Sequence, residues 1–111
     1  LLCKRSSKSC DYRRTEVIIR QFGEAAFRVK QAGGDGVEIH AAHAHGLLGG
    51  FLSPLYNKRT DAYGGDIHGR LRLTLEVIEE VRKCAEGFII DVRISGDEYT
   101  DGGQNLMMLS M

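Results

Sequence analysis

Apolar residues at Ile18, Phe22, Ala25 and Val29 fall at i, i+4, i+7 and i+11, the spacing of one stripe on a helix. Thr15 stands where an N-cap is wanted, and Gly33-Gly34 closes the stretch where a left-handed residue is needed. Val37-Glu38-Ile39-His40 then alternates, which puts Val37 and Ile39 on one strand face and Glu38 and His40 on the other. Next comes a loop-like stretch of about 25 residues, rich in Gly, His, Asn, Asp and Tyr, of a length that usually carries function. Asp66 can cap a second helix whose apolar face includes Leu71, Leu75 and Ile78, with Val81 beside them; it runs to about Cys84, ahead of Gly87. From Phe88 to Ser95 the alternation returns, with Ile90, Val92 and Ile94 on one face and Asp91, Arg93 and Ser95 on the other.

Strands that alternate with helices at this spacing predict parallel pairing. A doubly wound sheet would need both strand faces apolar. Here one face of each strand is polar, as in a (β/α) barrel, where that face looks into the interior and can carry chemistry near the mouth. The fold class is therefore α/β, a partial (β/α)8 TIM barrel of about two strand–helix units plus a leading helix. Residues 1–14 read as a loose N-terminal tail and 15–111 as the barrel fragment. The chain starts without Met and ends on NLMMLSM, where another helix could begin, which suggests a piece of a longer protein.

Composition changes little. Apolar and charged contents are those of an ordinary globular chain, and the formal net charge is zero, so no electrostatic footprint for nucleic acid or an anionic membrane exists. No run is long and apolar enough to span a bilayer. Cys3, Cys10 and Cys84 lack CxxC spacing and read as reduced thiols of a cytoplasmic protein.

Chemistry gathers at the strand ends. His40, His43 and His45 lie where the first strand gives way to the loop, and Arg93 lies at the matching end of the second. Three nearby histidines raise a metal site, but no carboxylate or thiolate ligand accompanies them, so no metal is assigned. Glu38 is expected inward, buried and ion-paired, and Arg93 could pair with it or with Asp91. Arg70 and Arg72 are expected in helix salt bridges, and Tyr56 and Tyr63 in loop packing.

The run Ala32-Gly-Gly-Asp-Gly-Val-Glu-Ile-His40, with His43, the loop Phe51-Leu-Ser-Pro-Leu-Tyr-Asn-Lys-Arg-Thr-Asp-Ala-Tyr-Gly-Gly65, then Arg70, Arg72 and the Val-Arg-Ile-Ser strand, resembles the Old Yellow Enzyme-like NADH:flavin oxidoreductases. The nearest likeness is to the branch of 2,4-dienoyl-CoA reductase-like, bile-acid-inducible and trimethylamine dehydrogenase-like proteins, over about strands four and five of the barrel. The resemblance implies an FMN-binding barrel in which NADH or NADPH reduces the flavin, and the flavin reduces a C=C bond conjugated to a carbonyl in a small enone or enoyl substrate. It implies that His40 and His43 hydrogen-bond the substrate oxygen, that Arg93 lies against the flavin N1/C2-carbonyl edge, and that the remainder of the barrel is required. A homo-oligomer is left open. Arg59, Asp61, Tyr63, Gly64 and Gly65 are implied as loop formers.

The chain departs from the family pattern at three places. His45 stands where a proton-donating tyrosine is usual and could replace it as acid. Gly49-Gly50 replaces Asn-Gln or Asp-Gln in a segment one residue longer than the commonest form. Gly69 replaces an asparagine, which is expected to loosen the start of the second helix. Two other readings stand beside ene reduction: an amine dehydrogenase-type flavoprotein, which a tyrosine at position 40 would have favoured, and a non-catalytic barrel fragment inactive on its own.

Overall fold

A computed structural model of the chain describes residues 12–109. The order is α1 (Tyr12–Gln31), β1 (Gly36–Ala41), α2 (Leu47–Leu52), α3 (Ile67–Cys84), β2 (Ile89–Ile94) and α4 (Leu106–Leu109). β1 and β2 pair in parallel, with Val37 opposite Ile90, Ile39 opposite Val92 and His40 opposite Arg93. α1 and α3 pack on one another and cover the face of the sheet that carries Val37, Ile39, Ile90 and Val92. Glu38, His40, Asp91 and Arg93 face away from the helices and are exposed. This is a strand–helix–strand piece of a barrel-type fold.

Both predicted helices exist, but each buries a different line of side chains from the one expected. α1 is already helical at Tyr12, so Thr15 is not its cap; Thr15 is fully buried one turn inside. The first eleven residues of the expected tail lie outside the described part. The covered face of α1 runs through Thr15, Ile19, Phe22 and Ala26, whereas Ala25 and Val29 of the predicted stripe are exposed. The reason is Gly23, which lets α1 approach α3 so closely that an added Cβ would press on Cys84 Sγ and Glu80. At its far end the helix closes as expected, with Gly33 at φ +88° and the Gly34 N–H donating to the Val29 carbonyl at 3.0 Å.

Asp66 caps α3 as predicted, accepting the Gly69 N–H at 2.9 Å. The buried line is Leu73, Val77 and Val81, each at most 1% exposed, while Leu75 is 57% exposed and Leu71 and Ile78 sit at the edge of the core. The helix carries two apolar lines at i, i+3 or i, i+4 spacing, and the position of its neighbours decides between them. Gly69 does not loosen the start of α3: an added Cβ would overlap the Gly64 carbonyl oxygen, so glycine is what allows the helix to seat on the loop. Arg70 and Arg72 also differ from expectation. Arg70, 7% exposed, donates to the Leu52 and Gly65 carbonyls at 2.9 and 2.8 Å, and Arg72 donates to the Ala62 carbonyl at 2.9 Å.

The long segment after β1 is not without structure. It contains α2, whose Leu48 and Leu52 are each 1% exposed within the core. The rest is tied down by its own polar side chains. Asn57 Nδ2 donates to the carbonyls of Phe51 and Tyr63 at 2.7 and 2.8 Å, and its Oδ1 accepts the Arg59 N–H at 3.0 Å. Arg59 pairs with Asp61 and lies over the Phe51 ring, 5.5 Å from its centre. Tyr63 is buried and donates to Glu76 at 2.8 Å.

Candidate functional site

β1 ends on His40-Ala41, and alternation fixes what each does. Ala41 is 1% exposed against the core, so the imidazole of His40 must leave by the other face. There it stands in register with Arg93 of β2. Arg93 pairs with Glu38 at 3.1 Å, and both side chains are exposed, 60% and 43%. Glu38 is therefore ion-paired as expected but not buried, because the described residues place nothing over this face of the sheet. Of the two partners proposed for Arg93, the structure selects Glu38.

His43 follows the strand with a backbone φ of +60°. Its N–H donates to Ser95 Oγ at 2.9 Å, which links the end of β1 to the residue just beyond β2. The imidazole of His43 lies 5.7 Å from that of His40, tilted by 51°, and 5.5 Å from that of His45, nearly parallel to it at 9°. All three rings are on exposed residues. Beside them opens a groove of about 410 Å³, lined among others by His43, His45, Tyr56, Asp97 and Glu98. Tyr56 is 67% exposed along this groove and is not packed into the loop.

The arrangement gathers imidazole N–H donors on the open side of the sheet, beside a guanidinium on the next strand. Among the described residues no group of three or more His, Cys, Asp or Glu side chains is placed to hold a metal ion. Cys84 is a free thiol at the far end of α3, and burial, reinforced by the Glu80 carboxylate, pushes its pKa up. Cys3 and Cys10 lie outside the described residues.

Sequence reading missed Ser95 as a site residue, along with Gln104 and Glu98, which brace it. Gln104, 3% exposed, donates through Nε2 to the Ser95 carbonyl at 3.0 Å, and its N–H donates to Glu98 Oε2 at 2.7 Å. Only the alternation of Ser95 with Arg93 could have drawn attention to it.

The NADH:flavin oxidoreductase / NADH oxidase family matches residues 3–110. The chain is 50% identical over 88 residues to an NADPH dehydrogenase of Halalkalibacterium halodurans, which covers 79% of this chain and 25% of that protein. Among solved structures, morphinone reductase in complex with tetrahydroNAD superposes with a TM-score of 0.78 at 34% identity, over 88% of this chain and 27% of that one. Histamine dehydrogenase from Rhizobium sp. 4-9 superposes with a TM-score of 0.85 at 33% identity, over 92% of this chain and 15% of that one. The chain thus spans about a quarter or less of the length of these relatives. No helix among the described residues is long and apolar enough to cross a membrane.

Proposed function

The chain belongs to the NADH:flavin oxidoreductase / NADH oxidase family, and from that premise we propose that it forms the substrate-polarising part of an FMN-dependent oxidoreductase that uses NADH or NADPH to reduce a C=C bond conjugated to a carbonyl. One feature of the side chains present supports FMN as the group held here. Arg93 offers an exposed guanidinium on the open face of β2, held in place by Glu38, where it can meet the electron-rich edge of a flavin ring. When bound, FMN supplies hydride transfer, which no side chain of the chain can perform.

The work left to this chain is done by imidazoles. His40 and His43 bind the substrate carbonyl oxygen through N–H donors and stabilise the negative charge that collects there as the β-carbon is reduced. Ring centres 5.7 Å apart and mutually tilted are suited to flank a single oxygen at about 2.9 Å from each nitrogen. His45, stacked on His43 and lining the same groove, supplies the proton to the α-carbon in place of the family's tyrosine. The observation that carries this reading is the juxtaposition of His40 with Arg93 across the parallel pair, on the face the helices leave open.

The test uses the complete flavoprotein. His40→Ala and His43→Ala are each expected to lower kcat/KM for a cyclic enone about a hundredfold to a thousandfold, as the loss of one oxyanion donor does. Unchanged enone reduction in both variants overturns the reading. A second reading, amine oxidation, draws on the likeness to histamine dehydrogenase and on Asp97 and Glu98 at the groove, which could pair with an ammonium group. Turnover of an amine without turnover of any enone would select it.

A further inference from the structure

His43 occupies backbone geometry that a side chain with a Cβ adopts only under constraint, φ +60°. Three contacts hold it there. Its carbonyl accepts the Gly46 N–H at 3.0 Å, and Gly49 of α2 lies so near that carbonyl that an added Cβ would overlap it. Its N–H donates to Ser95 Oγ at 2.9 Å. The first two fix His43 only within its own loop. Ser95 comes from the end of the other strand, two residues beyond Arg93, and is itself braced by buried Gln104.

We propose that Ser95 is a positioning residue for His43, setting its imidazole relative to Arg93 and β2; this rests on His43 contacting the substrate. The hydroxyl bonds the His43 main chain. It acts on the backbone from which the ring projects. Without it, the hydrogen bond that ties the segment after β1 to the residue after β2 is lost, and the His43 ring is free to leave the position 5.7 Å from His40. The His43 N–H is on an exposed residue and can turn to solvent, so the effect falls on geometry more than on stability.

The experiment is a double-mutant cycle in the complete flavoprotein, read as kcat and KM for a cyclic enone, with the affinity for a saturated cyclic ketone and the melting temperature measured in parallel. Ser95→Ala is expected to lower kcat/KM about tenfold and weaken ketone binding similarly, with melting temperature little changed. In the His43→Ala background, Ser95→Ala is expected to add less than about twofold, because the residue it positions is gone. Ser95→Thr, which keeps the acceptor oxygen, is expected to restore most of the loss. If Ser95→Ala costs as much with His43 absent as with it present, or costs nothing while His43→Ala is severe, the positioning role is overturned. If His43→Ala itself has no effect, the substrate-contact reading of His43 fails instead, a result the cycle separates from the first.

Discussion

His40, His43 and His45 share one residue type and a stretch of six positions, yet each is held in place differently. His40 is set by strand alternation, His43 by a left-handed turn bound to Ser95, and His45 by stacking on His43. If His45 is the acid, His45→Gln should lower kcat for enone reduction about a hundredfold while leaving the affinity for a saturated ketone unchanged, since the ketone needs no proton. Steady-state rates together with equilibrium binding check this; equal loss in both would mean that His45 binds and does not protonate. Their clustering was legible in the sequence, because three of the chain's four histidines fall at one strand end. Ser95 was not legible. A serine after a strand is commonplace, and only the approach of the two strand ends reveals what its hydroxyl holds.

The elements were legible as helices and strands, but not the faces by which the helices pack. α3 offers Leu71-Leu75-Ile78 and Leu73-Val77-Val81, both at spacings that line one side of a helix, and the second line is the one in the core. Leu73→Ala should therefore destabilise the protein by about 2–5 kcal/mol, whereas Leu75→Ala should stay within about 0.5 kcal/mol, as urea titration of both variants would show. Gly69→Ala should also be costly, by about 1–3 kcal/mol of overpacking, because the added methyl meets the Gly64 backbone, which cannot swing aside as a side chain would. A helix-propensity argument predicts the opposite sign for that substitution, so its melting temperature separates the two. α2 escaped prediction for a related reason: its double glycine reads as a loop, while the structure uses Gly49 for close approach to the His43 carbonyl.

At the scale of the whole molecule, the described residues form a parallel two-stranded sheet covered on one face, with Ile89 and Ile94 69% and 45% exposed. Two strands cannot close a barrel, and a full one takes about 250 residues. The 111-residue chain by itself is expected to purify colourless and the complete flavoprotein yellow; absorbance in the flavin region decides it. Acid should destabilise the chain through its loop. The Arg59 guanidinium holds the Asp61 carboxyl below its ordinary value of 3.8, and the Gly69 N–H does the same for Asp66. A carboxyl depressed in the folded state contributes stability that is complete above about pH 4 and lost as pH falls through the folded pKa. Melting temperature should therefore drop below about pH 4, and the drop should be shallower in Asp61→Asn and Asp66→Asn variants.

Local information alone determined much of this protein. Periodicity set the helices and strands, the alternation of polar and apolar residues set which strand face stays open, and Asp66 and Gly33 set where helices start and stop. Those signals act within a few residues along the chain. The tertiary structure decided what depends on distant segments meeting: which line of α3 is buried, that Arg70 clasps the Leu52 and Gly65 carbonyls instead of an acid, and that Ser95 reaches the His43 N–H. A side chain's partner is chosen by proximity in space, and for residues more than fifty positions apart, as His43 and Ser95 are, only the fold supplies it.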